Sequence, residues 1–362
     1  MNPSRLRQLL ADPAALADAA VWRLRRAARE GPRRAAEAAR ERLFPLRVRH
    51  LAGPKAVGAG ADECVVVCLV RDGAVYLDGF LDHYRALGVR HVVFLDNGST
   101  DGTVERAAAE PDVTVLQTTA PYKAVKVIAK RYLVERFGRG CWTLCVDIDE
   151  LFDYPRRADV PLGVFLGYLN AGGYTAVVAY LLDLFPSGPL AEAGDWRAEH
   201  RLYALDGLRR LPYAPKVSPP NRTSNPQIEW YNGGVREARF GVRPNLTKHP
   251  LQFPSGGVRH ESSHHAAGAR VADVTGVLLH YKYAAGFLDY AERLVAEKSF
   301  YDGSAEYAGY LDAFEEDPAF RLDGPESREY GGPDRLVGEG FLVTSEAYRA
   351  FAGARTDRPT TP

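Results

Sequence analysis

The strongest constraint on the fold is a run of seven residues without a charged or amide side chain, Cys64-Val-Val-Val-Cys68-Leu-Val70. Such a run suits a strand covered on both faces, the normal condition of a parallel sheet. Helical spacing follows over 74–87, where Leu77, Phe80, Leu81, Tyr84 and Leu87 share one face and Gly88 closes the helix. The alternation then continues with a strand at His91–Leu95, a short helix over 103–109 and a strand at Val113–Leu116. A helix over 122–137, ended by Gly138, leads to a strand at Trp142–Val146. Strands alternating with helices of this length predict an α/β fold, Rossmann-like, with a mainly parallel sheet flanked by helices.

Polar residues gather where the apolar strands stop. Arg71-Asp72 follows the first strand, Asp96-Asn97-Gly-Ser-Thr-Asp-Gly-Thr103 follows the second, and Asp147-Ile-Asp149 follows the fourth. Open α/β sheets bind ligands beyond the carboxyl ends of their strands. Arg71, Asp72, Asp96 and Asn97 are therefore candidates for contacts with a nucleotide, with Asp96 accepting hydrogen bonds from base or ribose. Asp147 and Asp149, one residue apart at a strand exit, are expected to point the same way. Carboxylate oxygens with open positions suit Mg²⁺ or Mn²⁺ shared with substrate phosphates.

The cysteines form two CxxxC runs, Cys64/Cys68 and Cys141/Cys145. On a strand, residues four apart lie ~13 Å apart, whereas one zinc needs its sulfurs within ~2.3 Å. They are read as buried core thiols. His260 and His264 have a spacing that suggests zinc, but the Ser, Gly and Ala around them do not make a stable helix. An acceptor-site loop containing His264-His265 is preferred to a metal site, with ordinary loop residues as the remaining alternative.

Beyond residue 160 the pattern loosens. A helix is expected over 161–170, strands at Thr175–Leu184 and Val274–Tyr283, and helices over 284–300 and 305–316; residues 185–260 resist assignment. His280 ends the later strand, with Lys282 two residues on. Lys248 and Lys282 are candidate partners of a diphosphate.

These motifs resemble the nucleotide-sugar half of family 2 glycosyltransferases with the GT-A fold. They are also similar to the pattern of a bacterial subgroup with DNGSTDGT and DIDE motifs. The matching residues are Leu69-Val-Arg71-Asp72, Phe80-Leu-Asp-His83-Tyr84-Arg-Ala-Leu-Gly88-Val, LDNGSTDGT and Val146-Asp-Ile-Asp-Glu150. Weaker likeness continues through Gly233-Gly-Val-Arg236, Lys248-His-Pro-Leu251 and Leu279-His280-Tyr-Lys282-Tyr, so it covers roughly 63–300. Asp72-Gly73 stands where the family usually has Asn-Glu. The resemblance implies a nucleotide-diphosphate sugar donor, most often a uridine nucleotide, and a divalent metal, Mn²⁺ or Mg²⁺. Asp149 would bind the metal, Asp147 would lie near the ribose or the metal, and His280 would complete the metal site. Inverting transfer also needs a base. Glu229 is favoured because Trp230-Tyr231 and two glycines follow it; Asp183 and Glu261 are the alternatives, and a retaining enzyme would need none.

Lys and Arg number 46, as do Asp and Glu, so bulk charge argues against a nucleic-acid binder. Residues 1–50 nevertheless hold twelve arginines against five acids, in an amphipathic arm that could touch an anionic membrane surface. The expected organisation is that arm, a linker at 51–61, a transferase domain at 62–300 divided at 150, a helical region at 301–351 and a disordered tail at 352–362. With no apolar stretch of ~18 residues and no signal-peptide pattern, a cytoplasmic protein is expected, its partners being the donor and a glycan or lipid-linked acceptor. Two other functions compete. A sugar nucleotidyltransferase is disfavoured because LVRDGAVYLD has a single Arg and a single Gly; a non-catalytic carbohydrate-binding protein would retain the fold without turnover.

Overall fold

A computed structural model describes residues 35–254, 257–297 and 305–356. It divides the chain into Met1–Arg47 and Val48–Pro362. In the first unit residues 35–43 are helical and Phe44–Arg47 forms a 3-10 turn. The rest of the basic arm lies outside the described residues. No helix among the described residues is long and apolar enough to cross a membrane.

The second unit opens with β1 (Arg49–Ala52), β2 (Cys64–Val70), α1 (Ala74–Leu87), β3 (His91–Asp96), α2 (Thr103–Ala108), β4 (Val113–Gln117), α3 (Tyr122–Phe137), β5 (Trp142–Val146) and β6 (Glu150–Asp153). Every residue of β2, β3 and β5 is buried, as the unbroken apolar runs require. The five α1 residues singled out by spacing are all buried. Gly88 takes φ 92° and closes that helix in the left-handed region. The four cysteines are free and buried, and burial pushes every thiol up.

Next come α4 (Leu162–Ala171), β7 (Ala176–Asp183) and the short α5 (Trp196–Glu199). Brief strands fill the region without a sequence pattern: β8 (Leu202–Tyr203), β9 (Leu208–Pro212), β10 (Arg222–Thr223) and β11 (Glu229–Gly233), followed by α6 (Val235–Phe240). Then follow β12 (Thr247–Gln252), β13 (Arg259–His260), β14 (Ala266–Ala267), β15 (Arg270–Val271) and β16 (Gly276–His280). The chain ends in α7 (Phe287–Glu297), α8 (Ala305–Glu316), β17 (Arg328–Glu329), α9 (Pro333–Gly338) and α10 (Glu346–Thr356).

The central sheet has eleven strands, ordered β1-β4-β3-β2-β5-β12-β7-β15-β10, with β16 pairing both β7 and β6. Strands β4, β3, β2 and β5 are mutually parallel. The sheet is mixed rather than parallel throughout, because β12 runs antiparallel between β5 and β7. It returns from the irregular half of the chain instead of through a helical crossover, so nothing forces it parallel. The fold is α/β, with a largely parallel central sheet flanked by helices, and is compatible with a Rossmann-like arrangement.

Two expected domain boundaries move. Leu51 and Ala52 form an edge strand on β4 rather than a linker. The tail does not begin at 352: α10 runs to Thr356, with Tyr348 and Ala352 in the main core. The Tyr348 hydroxyl donates to the Pro155 carbonyl at 2.7 Å. Residues 357–362 lie outside the described residues.

Candidate functional site

A cleft of about 1240 Å³ opens where β2, β5 and β16 end, and α7 contributes to its wall. This exceeds the usual 300–1,000 Å³ of a small-molecule pocket, leaving room for two substrates side by side. Its floor is the turn from β5 into β6. Val146 ends one strand, residues 147–149 turn, and Glu150 starts the next.

That turn separates the two aspartates. Asp147 Oδ1 accepts from Lys130 Nζ at 2.5 Å, and Oδ2 from Lys248 Nζ at 3.0 Å. Lys248 also donates to Glu150 Oε1, and Glu150 Oε2 accepts from the Asp147 N–H at 3.1 Å. Lys248 is aimed here by a bulge. Its strand loses register between Lys248 and Leu251, where Pro250 has no N–H to give. Burial alone would raise the Asp147 carboxyl, but the two ammoniums outweigh it and hold it well below the carboxylate range. Burial pushes Glu150 up, with Lys248 opposing.

Asp149 faces the other way, its Oδ2 lying 3.3 Å from His280 Nε2. His280 Nδ1 contacts Asp183 Oδ1 at 2.5 Å, and Arg236 Nε donates to Asp183 Oδ2 at 2.8 Å. Burial would lower the imidazole, yet the two aspartates raise it to about 9. The same contacts overcome burial and hold Asp149 and Asp183 down.

Asp149, Glu150 and His280 each offer a ligand atom within 4.8 Å of the others, so together they could hold a metal ion. The fit is best at Asp149 and His280. One oxygen and one imidazole nitrogen already face each other, and Asp183 fixes the ring from behind, as is usual for a ligating histidine. A hard oxygen beside an imidazole, with positions left for substrate oxygens, suits Mg²⁺ or Mn²⁺ better than a closed zinc site. Asp147 is outside this group. The expectation that it shares a metal with Asp149 fails because the strand ends before it and two lysines take its oxygens.

The other expected residues divide between cleft and scaffold. Arg71 and Asp72 line the cleft. Asp72 has φ 53°; its Oδ1 accepts from Thr100 N at 2.8 Å and its Oδ2 lies 3.1 Å from Arg293. Lys248 and Lys282 also line it, but neither waits for a diphosphate alone. Lys282 donates to Tyr307 Oη at 3.0 Å and lies 3.6 Å from Glu306.

Asp96 and Asn97 are scaffold. Asp96 is buried, and its carboxylate accepts from the N–H groups of Gly98 and Ser99 and from Gln117 Nε2. Asn97 donates to the carbonyls of Thr118 and Ala120. Both residues shape the turn and are absent from the cleft wall.

Neither the favoured base, Glu229, nor its alternative Asp183 lines the cleft. Asp183 is buried with both oxygens engaged. Glu229 lies on the β9–β11 hairpin, 3.6 Å from Arg210 and away from the cleft. Glu261 faces Arg131 and Arg259 at 3.9 and 3.5 Å. His260 lies on a strand, its Nδ1 accepting from Gln252 Nε2 at 3.1 Å, so it makes no helical pair with His264. His264 does line the cleft.

Lys130, Glu150 and the supporting role of Arg236 were missed. Tyr122, Lys126 and Lys130 recur every four residues along one face of α3, and that spacing was the available signal. No protein-family model matches the chain, and no curated protein matches it. Fold and site thus define an α/β protein with an acidic–histidine cluster able to hold a cation at the strand ends.

Proposed function

We propose that the chain is a metal-dependent glycosyltransferase of GT-A architecture. It moves a sugar from a nucleotide-diphosphate donor, uridine-linked, to a hydroxyl on a glycan or lipid-linked acceptor. The setting is cytoplasmic assembly of surface polysaccharide or glycoconjugate. The observation that carries this reading is the Asp149–His280 pair, held by Asp183 and facing a cleft large enough for two substrates.

Asp149 and His280 would hold the metal, with Glu150 adjoining them. When bound, a divalent ion supplies Lewis-acid neutralisation of charge growing on the departing diphosphate. The chain's own residues do the rest. Lys130 and Lys248 keep Asp147 and Glu150 compensated, so the floor of the cleft does not repel an anionic donor. Asp183 and Arg236 keep the His280 ring turned toward Asp149. Arg71 and Arg293 line the cleft on either side of the Asp72 carboxylate.

The test is nucleotide-diphosphate release from a panel of nucleotide sugars with Mn²⁺, Mg²⁺ or EDTA, alongside the thermal shift caused by UDP with Mn²⁺. Release from one donor, abolished by EDTA and by Asp149→Ala, is expected. A chain that releases nothing and shows no shift with nucleotide and metal is not this enzyme.

A further inference from the structure

We propose that His264 takes the proton from the acceptor hydroxyl. The inference rests on the transferase reading of the same cleft and names the base that reading lacks.

His264 Nδ1 lies 3.2 Å from the Thr247 carbonyl oxygen. A carbonyl only accepts, so Nδ1 carries the ring proton and the lone pair of the neutral ring is on Nε2. No described residue engages that nitrogen. Because His264 lines the cleft, Nε2 is the ring atom left for a ligand.

The residue is firmly seated. Its N–H donates to Ser262 Oγ at 3.2 Å, and its carbonyl accepts from His249 N and Nδ1 at 3.2 and 2.8 Å. His249 Nε2 in turn accepts from Tyr213 Oη at 2.6 Å. Thr247, which fixes the tautomer, directly precedes Lys248, whose ammonium reaches Glu150 on the cleft floor. Burial, and then the Lys248 cation, lower the imidazole to about 3. The ring is therefore neutral at working pH but a weak base, and its contribution belongs at the low end of the 10²–10⁴-fold range for general bases.

Among the acids of the cleft, Asp72, Asp147, Asp149, Glu150, Glu297 and Glu306 already face cationic groups. The competitor is Asp289, exposed on α7.

The step balances as one displacement. The acceptor O–H bond breaks and its proton goes to Nε2. The electron pair of the acceptor oxygen forms the bond to the anomeric carbon. The anomeric C–O bond breaks, leaving both electrons on the diphosphate oxygen. The proton then passes from His264 to water, and the anomeric centre is inverted.

The decisive variant of the full chain is His264→Asn. Its amide N–H can keep the bond to Thr247 while the Nε2 lone pair is gone. Using the donor identified by nucleotide release, kcat is expected to fall about 100-fold, with KM for the donor and the UDP/Mn²⁺ thermal shift unchanged. Added imidazole should restore part of the turnover of His264→Gly, and Asp289→Asn should retain turnover. If His264→Asn does not fold, His264→Gln is read the same way. Turnover within threefold of wild type in the folded variant, retention at the anomeric carbon, or loss in Asp289→Asn instead would overturn the assignment. Wild-type protein with neither nucleotide release nor thermal shift overturns the transferase reading itself.

Discussion

On one side of the Asp147–Glu150 turn, acids face lysines; on the other, they face a histidine. Asp147 and Glu150 share Lys130 from α3 and Lys248 from the bulge of β12. Both ammoniums are raised above their usual pKa despite burial, so they stay charged at any physiological pH. Asp149 and Asp183 instead share the His280 imidazole, with Arg236 behind. An imidazole can exchange its proton for a metal ion; an ammonium cannot. The same pairing of signs therefore makes a lock at one end and an exchangeable seat at the other. The lock also ties helix α3 to the sheet, since Lys130 of α3 meets the turn beside Lys248 of β12.

The largest effect should come from breaking the lock. Lys248→Met strands Glu150, whose side chain is 2% exposed, and removes one of two partners of Asp147. Removing one member of a buried ion pair costs about 3–5 kcal/mol, which a shift in urea midpoint will measure. Pairing it with Glu150→Leu should recover much of the loss, because an apolar pair of similar volume replaces the charges. If the single variant costs no more than a surface substitution, the lock is not one. At the other end the damage should fall on binding as well as on stability, since Asp183 also pairs with the buried Arg236. Asp183→Asn removes the charge that orients His280, so Mn²⁺ affinity, followed by titration calorimetry, should weaken 10–100-fold. An unchanged Mn²⁺ affinity would show that the ring needs no such support.

The contrast explains what could be read in advance. Strands β2 and β5 and helices α1, α3 and α8 matched their expected bounds because each carries a full period of apolar residues. Strands of two residues, such as β8, β10, β13 and β15, carry no period at all. Helix α10 could have been read, since Tyr348, Phe351 and Ala352 have helical spacing, but a polar end looked like a frayed tail. At the site, the strand-end acids were visible while their partners were not. Arg236 meets Asp183 across 53 residues and Lys248 meets Asp147 across 101, distances at which local pattern is silent. Two carboxylates spaced for one strand face were divided by a turn, and Lys130 and Lys248 took the oxygens of Asp147.

The smallest effects expected are in pH dependence, and they separate the two kinds of histidine by sign. His280 rises to about 9 in the folded chain, against ~6.5 when unfolded. Its ion pairs therefore contribute fully below about pH 6.5, and that contribution is lost as pH rises through 9. His249, held at about 4, and His260 and His264, held at about 3, are kept neutral chiefly by burial. Here the unfolded chain binds the extra protons, so stability falls as pH drops from 6.5 toward 4. Each such proton contributes a slope of at most about 1.4 kcal/mol per pH unit. The melting temperature should accordingly peak near pH 6.5. Replacing His264 with Asn should flatten only the acid limb, because Asn has nothing to protonate. Asp149→Asn should flatten only the alkaline limb, because it removes one of the two charges that raise His280. If either variant changes the opposite limb, the two sets of histidines are coupled, and the cleft floor behaves as one electrostatic unit rather than as a lock beside a seat.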